Sequence, residues 1–234
     1  MPNSAKRAKI VTAAAFALVG GAMGALAQSA VDVDKMSFFI TSKGGGDGAN
    51  FGGLEGADAH CNALATAAGS SKTWAAYLSN SAIIDRSDGT LKITNGISAR
   101  DRIGTGPWYN ATGVMVAKDV DDLHSETANM NIKTGLDENG APINGRGAQP
   151  NKHDILTGSD SIGHFSTAAG DATCSNWTSN SSDGSAIVGH HDRAGPNLSR
   201  AFTSWNSSHG SRGCGEEDLP RSGGAGLLYC FATN

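Results

Sequence analysis

The side chains of this sequence best suited to chemistry are its histidines, and their densest group is His190-His191-Asp192. Imidazole nitrogens with a carboxylate are the donor set that zinc takes. Consecutive strand residues point to opposite faces, so His190 and His191 can serve one ion only from an irregular loop. His153-Asp154 and His209 are the residues that could add to them. Against this stands a simpler expectation, that all of these are solvated loop side chains. Asp119, Asp121 and Asp122 offer paired carboxylates, but unpaired carboxylates are nearly always exposed and a solvated turn is expected. Familiar catalytic spacings are missing: there is no Gly-x-Ser-x-Gly elbow and no His-Glu-x-x-His helix. Gly44-Gly45-Gly46-Asp47-Gly48 is glycine-rich, yet it fits no nucleotide-loop spacing and no Gly-Lys-Ser/Thr follows it. A convergent Ser/His/Asp triad has no support in the spacing, and the chain is read as a non-enzyme.

The scaffold that must position these residues is announced by four cysteines, Cys61, Cys174, Cys214 and Cys230, and by the N-terminus. Lys6, Arg7 and Lys9 precede an apolar run from Ile10 to Leu26 that ends in Ala25-Leu26-Ala27. A basic region, an apolar region and a small-x-small site read as a secretory signal peptide over residues 1–27. An exported chain with an even cysteine count is expected to pair them, here as two bridges in one of three connectivities. The formal net charge is −4. Loss of the basic leader makes the remainder more acidic, which disfavours nucleic acid and other polyanions as partners. No second apolar run approaches the ~18 residues of a membrane span. The expected location is therefore secreted or periplasmic. The 32 glycines in 234 residues, with abundant Ser, Asn and Asp, predict a loop-rich fold in which covalent staples matter.

Residues 28–36 read as a short tether, and one domain is expected over residues 37–234. Met36 to Thr41 reads as the first strand. Leu54, Ala57, Cys61, Leu64 and Ala68 recur at steps of three and four, predicting a helix stopped by Gly69. Thr73 to Leu78 and Val114 to Ala117 predict further strands. Asp85 to Gly89 reads as a turn, and Gly226 to Ala232 as a closing strand with Cys230 inside it.

The order of these segments resembles the C-type-lectin-like fold, and within it the endostatin-like branch and its bacterial secreted relatives. Ser37-Phe38-Phe39, Gly56-Ala57-Asp58-Ala59-His60-Cys61, Trp74-Ala75-Ala76-Tyr77-Leu78-Ser79, Arg100-Asp101-Arg102, Thr157-Gly158-Ser159-Asp160 and Cys174-Ser175-Asn176-Trp177 carry the resemblance, with Cys214 and Cys230 completing it. It implies a single α+β domain with a mixed sheet, one clear N-terminal helix, a long loop region and nested bridges Cys61–Cys230 and Cys174–Cys214. Sugar-binding members of the wider fold hold calcium through a Glu-Pro-Asn or Gln-Pro-Asp loop and a Trp-Asn-Asp strand. The counterparts here are Gln149-Pro150-Asn151 and Trp205-Asn206-Ser207, where Ser207 replaces a carboxylate and weakens any calcium site. Candidate ligand-binding residues are thus Gln149, Asn151, Trp205, Asn206, His190, His191 and Asp192, with calcium the first cofactor to consider and zinc the second. The resemblance implies recognition of a carbohydrate without an intact calcium motif. The alternative is an adhesin or envelope module that binds an extracellular or envelope protein.

Overall fold

A computed structural model describes Met1 and residues 30–167 and 170–233. The leader predicted over residues 1–27 therefore lies, apart from Met1, outside the described residues. The chain forms an α+β fold. Its elements run β1 (Phe38–Ile40), α1 (Leu54–Ala67), β2 (Trp74–Ala76), β3 (Ile83–Asp85), β4 (Lys92–Thr94), β5 (Trp108–Tyr109), β6 (Met115–Ala117), α2 (Val120–Leu123), β7 (Asp154–Leu156), β8 (Ile187–His190), β9 (His209–Gly210) and β10 (Gly224–Ala232). The helix with the apolar stripe is by far the longest, at 14 residues, and it buries Ala57, Cys61, Leu64 and Ala65.

The main sheet is mixed and runs β1-β10-β7-β8-β9, with β2 also paired to β10. β10 is its axis. It runs antiparallel to β1 and β2 and parallel to β7. Being covered on both faces, β10 reads as a continuous apolar run rather than an alternation. One core cluster gathers Phe39, Cys61, Trp74, Leu156, Trp177, Val188 and Leu228. The other gathers Phe38, Tyr77, Trp108, Ile155, Trp205, Leu227 and Tyr229. Adjacent residues of β7 and β10 alternate between the two clusters, as the strand period requires.

Both predicted bridges are present, Cys61–Cys230 between α1 and β10 and Cys174–Cys214 across the loop region. Their sequence separations, 169 and 40, correspond in the chain-entropy picture to about 5 and about 4 kcal/mol. The Arg102 guanidinium adds a polar tie: it meets the Asp58 carboxylate at 2.6 Å and donates to the Ala76 carbonyl, so α1 is fastened to β2.

One expectation needs correction. Residues 30–36 are packed, not a tether: Asp32 N–H donates to Ala111 O at 2.8 Å, Met36 is fully buried, and Val31 and Val33 lie against the core. Their apolar spacing supplies the contact. The turn expected at residues 85–89 is present, as the loop of an exposed β3–β4 hairpin with Ile83, Ile84 and Leu91 in solvent. Another departure is local. Cys174, Ser175, Asn176 and Trp177 all have positive φ, from 48° to 65°, which makes a left-handed turn. Such a turn is costly for L-residues. It is held by the Cys174 bridge, by Asp171 accepting from Ser175 N–H, and by the Trp177 indole donating to Ser79 O.

Candidate functional site

Sheet register assembles a cluster that the sequence keeps in three pieces. Asp154 lies directly opposite His190 in the β7–β8 pair, and His209 lies opposite Val188 in the β8–β9 pair. Residues opposite one another, or two apart on one strand, share a face. Asp154, His190 and His209 therefore emerge on one side of the sheet. His153, just before β7, turns its ring onto the same spot. On the other face of β8, Gly189 lets the returning chain pass close to the strand, since a Cβ there would stand 1.9 Å from the Trp205 carbonyl oxygen.

The geometry is tight. Asp154 Oδ1 lies 3.1 Å from His153 Nε2, 3.3 Å from His190 Nε2 and 3.6 Å from His209 Nε2. The Nε2 atoms of His190 and His209 are 3.0 Å apart, and the rings of His153 and His190 stack at 4.2 Å. His153, Asp154 and His190 are buried, whereas the His209 side chain is 32% exposed. The other ring nitrogens are all engaged: His153 Nδ1 faces Asp192 Oδ1 at 3.3 Å, His190 Nδ1 faces Phe202 O at 2.7 Å and His209 Nδ1 faces Gly210 O at 3.0 Å. Those partners only accept, so a ring that donates from Nδ1 and is neutral turns an acceptor, Nε2, toward Asp154. Both Asp154 oxygens are buried and make no directed hydrogen bond. Burial alone would push the His190 imidazole down, but the Asp154 carboxylate and the Phe202 carbonyl bring it above its ordinary value. An arrangement of this kind can share protons or bind a cation.

The expectation of solvated loop histidines is overturned, because His190 and His191 are both buried. The alternation argument holds: His190 enters the cluster, while His191 Nε2 faces Asn144 O at 3.3 Å and burial lowers its pKa. Asp192 stands behind His153, accepts from the Arg146 and Ala194 N–H groups, and so ties the loop of residues 144–151 to that of residues 191–208. Burial would raise its pKa, yet His153 and these N–H groups hold it well below the usual carboxylate range.

The residues matched to a calcium motif have other work. Asn206 is buried; its amide donates to Tyr77 Oη at 2.9 Å and to Asp160 O at 3.0 Å, and its oxygen accepts from Ser204 Oγ. Tyr77 in turn donates to His124 Nε2 at 2.7 Å, and His124 Nδ1–H donates to Val120 O. Trp205 is core, its indole donating to Leu123 O. Asn151 accepts from His153 N–H, and Gln149 is exposed. None of these bonds joins Asn206 to Gln149 or Asn151. Asp119 caps α2 by accepting from Asp122 N–H, so the acidic run at residues 119–122 is a capped turn.

A surface feature escaped the sequence reading. Ser98, Asp101, Asp160, His164, Phe165 and Thr167 line an open cleft of about 390 Å³. A second hollow of about 360 Å³, lined by Asp160, Ser161, Ala201, Ser204 and Ser207, shares Asp160 with it. The ring of Phe165 packs over Gly96, where a Cβ would come within 2.5 Å of it. Asp160 Oδ1 accepts from Ile162 and His164 N–H and so fixes the cleft's wall. A lone aromatic in a Gly/Ser/Asp-rich stretch was the available signal.

No family model matches this chain, and no curated protein matches it. Among the described residues, no helix is long and apolar enough to cross a membrane.

Proposed function

We propose that this chain is an extracytoplasmic recognition domain of the C-type-lectin-like, endostatin-like kind, and that its ligand is a carbohydrate. The observation that carries the reading is the cleft at Phe165. It combines one aromatic ring with carboxylates, a histidine and hydroxyls at an open surface. Sugars are bound by such sets, the ring covering apolar C–H faces while polar side chains take the hydroxyls. Two hollows that share Asp160 in their walls suit more than one sugar unit.

The loops around the cleft support recognition because they are pre-organised. Asp160, in the cleft's own wall, accepts from the Ile162 and His164 N–H groups, and Phe165 N–H donates to Ser98 Oγ across it. Such bonds spend ordering entropy during folding, so less is lost on binding. Calcium has no part in this reading, since the Asn206 amide is engaged and Ser207 brings no carboxylate. The two disulfides fit an oxidising compartment.

A glycan array probed with the oxidised protein, in calcium and in EDTA, tests this. Saccharide-selective signal that survives EDTA and falls at least tenfold in Phe165→Ala and Asp101→Ala is expected. A folded protein that binds no saccharide, but captures a saturable protein ligand from envelope or matrix extract, would install the adhesin reading instead.

A further inference from the structure

We propose that His153, Asp154, His190 and His209 together bind one transition-metal dication, with zinc the ion that fits best. This site is separate from the Phe165 cleft and does not depend on sugar recognition.

The case starts from acceptors facing acceptors. Three imidazole Nε2 atoms face one carboxylate oxygen, and every matching Nδ1 already faces a carbonyl or Asp192. A proton placed between two of these atoms leaves the others opposed. A bridging water brings two hydrogens to at least four acceptor atoms. Protonating all three rings would stack two imidazolium ions at 4.2 Å in a buried setting, at a high desolvation cost. One dication satisfies every acceptor at once. With Asp154 bound and Asp192 behind His153, its charge of two is balanced by two carboxylates.

The spacings agree with this. Ligands about 2.0–2.1 Å from a tetrahedral zinc ion stand about 3.3–3.4 Å from one another. Four of the six separations in the set are 3.0, 3.1, 3.3 and 3.6 Å. His153, Asp154 and His190 supply donors that all lie within 4.8 Å of one another; partly exposed His209 stands outside that trio, 3.0 Å from His190 Nε2 and 3.6 Å from Asp154 Oδ1, and would close on it from the solvent side. Nitrogen-rich donors select zinc and its neighbours over calcium, which takes oxygen. The outer partners are also those of metal sites: a carboxylate on one ligand histidine and backbone carbonyls on the other two, fixing tautomer and ring orientation. Four protein ligands make the site closed and structural, not catalytic. The ion would join β7, β8 and β9 at the corner where the loops of residues 144–151 and 191–208 meet.

The test uses oxidised chain expressed without a histidine tag and stripped of metal with EDTA. It is titrated with zinc against a chromophoric chelator, and separately loaded with cobalt(II). One tight zinc equivalent and the intense visible bands of tetrahedral cobalt are expected. Asp154→Asn should weaken binding at least a hundredfold. His209→Ala, at the partly exposed edge of the sheet, should weaken it at least tenfold while its near-ultraviolet circular dichroism in EDTA matches wild type. Should Asp154→Asn fail to fold, His209→Ala alone decides. No tight equivalent on folded wild-type protein, a pale octahedral cobalt complex, or unchanged affinity in the folded variants would overturn the site.

Discussion

The Asn206–Tyr77–His124 chain and the His153–Asp154–His190–His209 cluster are both polar and largely buried, and both rest on histidine, yet they are balanced in opposite ways. In the first, donors and acceptors alternate: the Asn206 amide donates to Tyr77, Tyr77 to His124, and His124 to Val120 O. Nothing from outside is needed, and the gain is rigidity in the core beside Trp205. In the second, acceptors meet acceptors and the Asp154 oxygens lack directed partners. Buried polar atoms left in that state cost stability unless a ligand meets them. The comparison teaches that a histidine's burial alone says little about its role. What its partners can accept or donate says most.

The two regions should separate cleanly under perturbation. The largest effect belongs to the cluster: zinc at a thousand times its dissociation constant should raise unfolding free energy by about 4 kcal/mol. Asp154→Asn should lose that rise while being no less stable than wild type in EDTA, as read by denaturant titration with and without zinc. A variant that gained as much as wild type would erase the distinction. Next comes Asn206→Ala, which strands the Asp160 carbonyl and removes the donor to Tyr77. It should cost about 2–3 kcal/mol, equally with zinc and without it. A zinc-dependent cost would mean that the two regions are coupled.

Asp192→Asn acts at one remove. It should weaken zinc binding about tenfold, in line with other losses of a carboxylate behind a ligand histidine. Chelator competition reads this directly, and an unchanged affinity would deny Asp192 its orienting part. Tyr77→Phe leaves His124 Nε2 without a donor and should cost about 1 kcal/mol, less than Asn206→Ala because the ring still packs.

The smallest expected effect is a pH slope. Burial lowers the His124 pKa below its ordinary value of 6.5. The unfolded chain therefore takes the proton first on acidification. The stability that neutral His124 contributes is complete above about pH 6.5, declines as pH falls below that, and is gone once the folded group protonates too. Subtracting the melting-temperature profile of His124→Gln from that of wild type should isolate the slope. A flat difference between pH 7 and pH 4 would contradict it.

Much of the frame was legible because its signals are local or covalent. The stripe through Ala57, Cys61 and Leu64 marks α1, and Gly226 to Ala232 marks β10. The bridge pairing was reached through a resemblance, and both predicted bridges are present. The cluster was half legible. Alternation said that His190 and His191 would part, but not which would turn inward. That choice depends on Asp154 standing opposite His190, a register between strands of three and four residues that no periodicity reveals. Burial of the histidines is hidden for the same reason, since the chain that meets the His190 ring, at the Phe202 carbonyl, comes from a separate loop. The cleft at Phe165 was invisible, since its walls come from residues 98–101 and 160–167 and only folding brings them together.

The Cys61–Cys230 bond has a further consequence, for how the protein survives damage. The exposed β3–β4 hairpin carries Arg86 in solvent, an open target for a trypsin-like protease. A cut there falls inside the loop that this bond closes, whose ends are 169 positions apart. The two pieces remain one molecule on a non-reducing gel and part only when reductant is added. Cleavage of the hairpin leaves every strand of the main sheet in place, so a nicked copy keeps its architecture and the loops that the sheet carries.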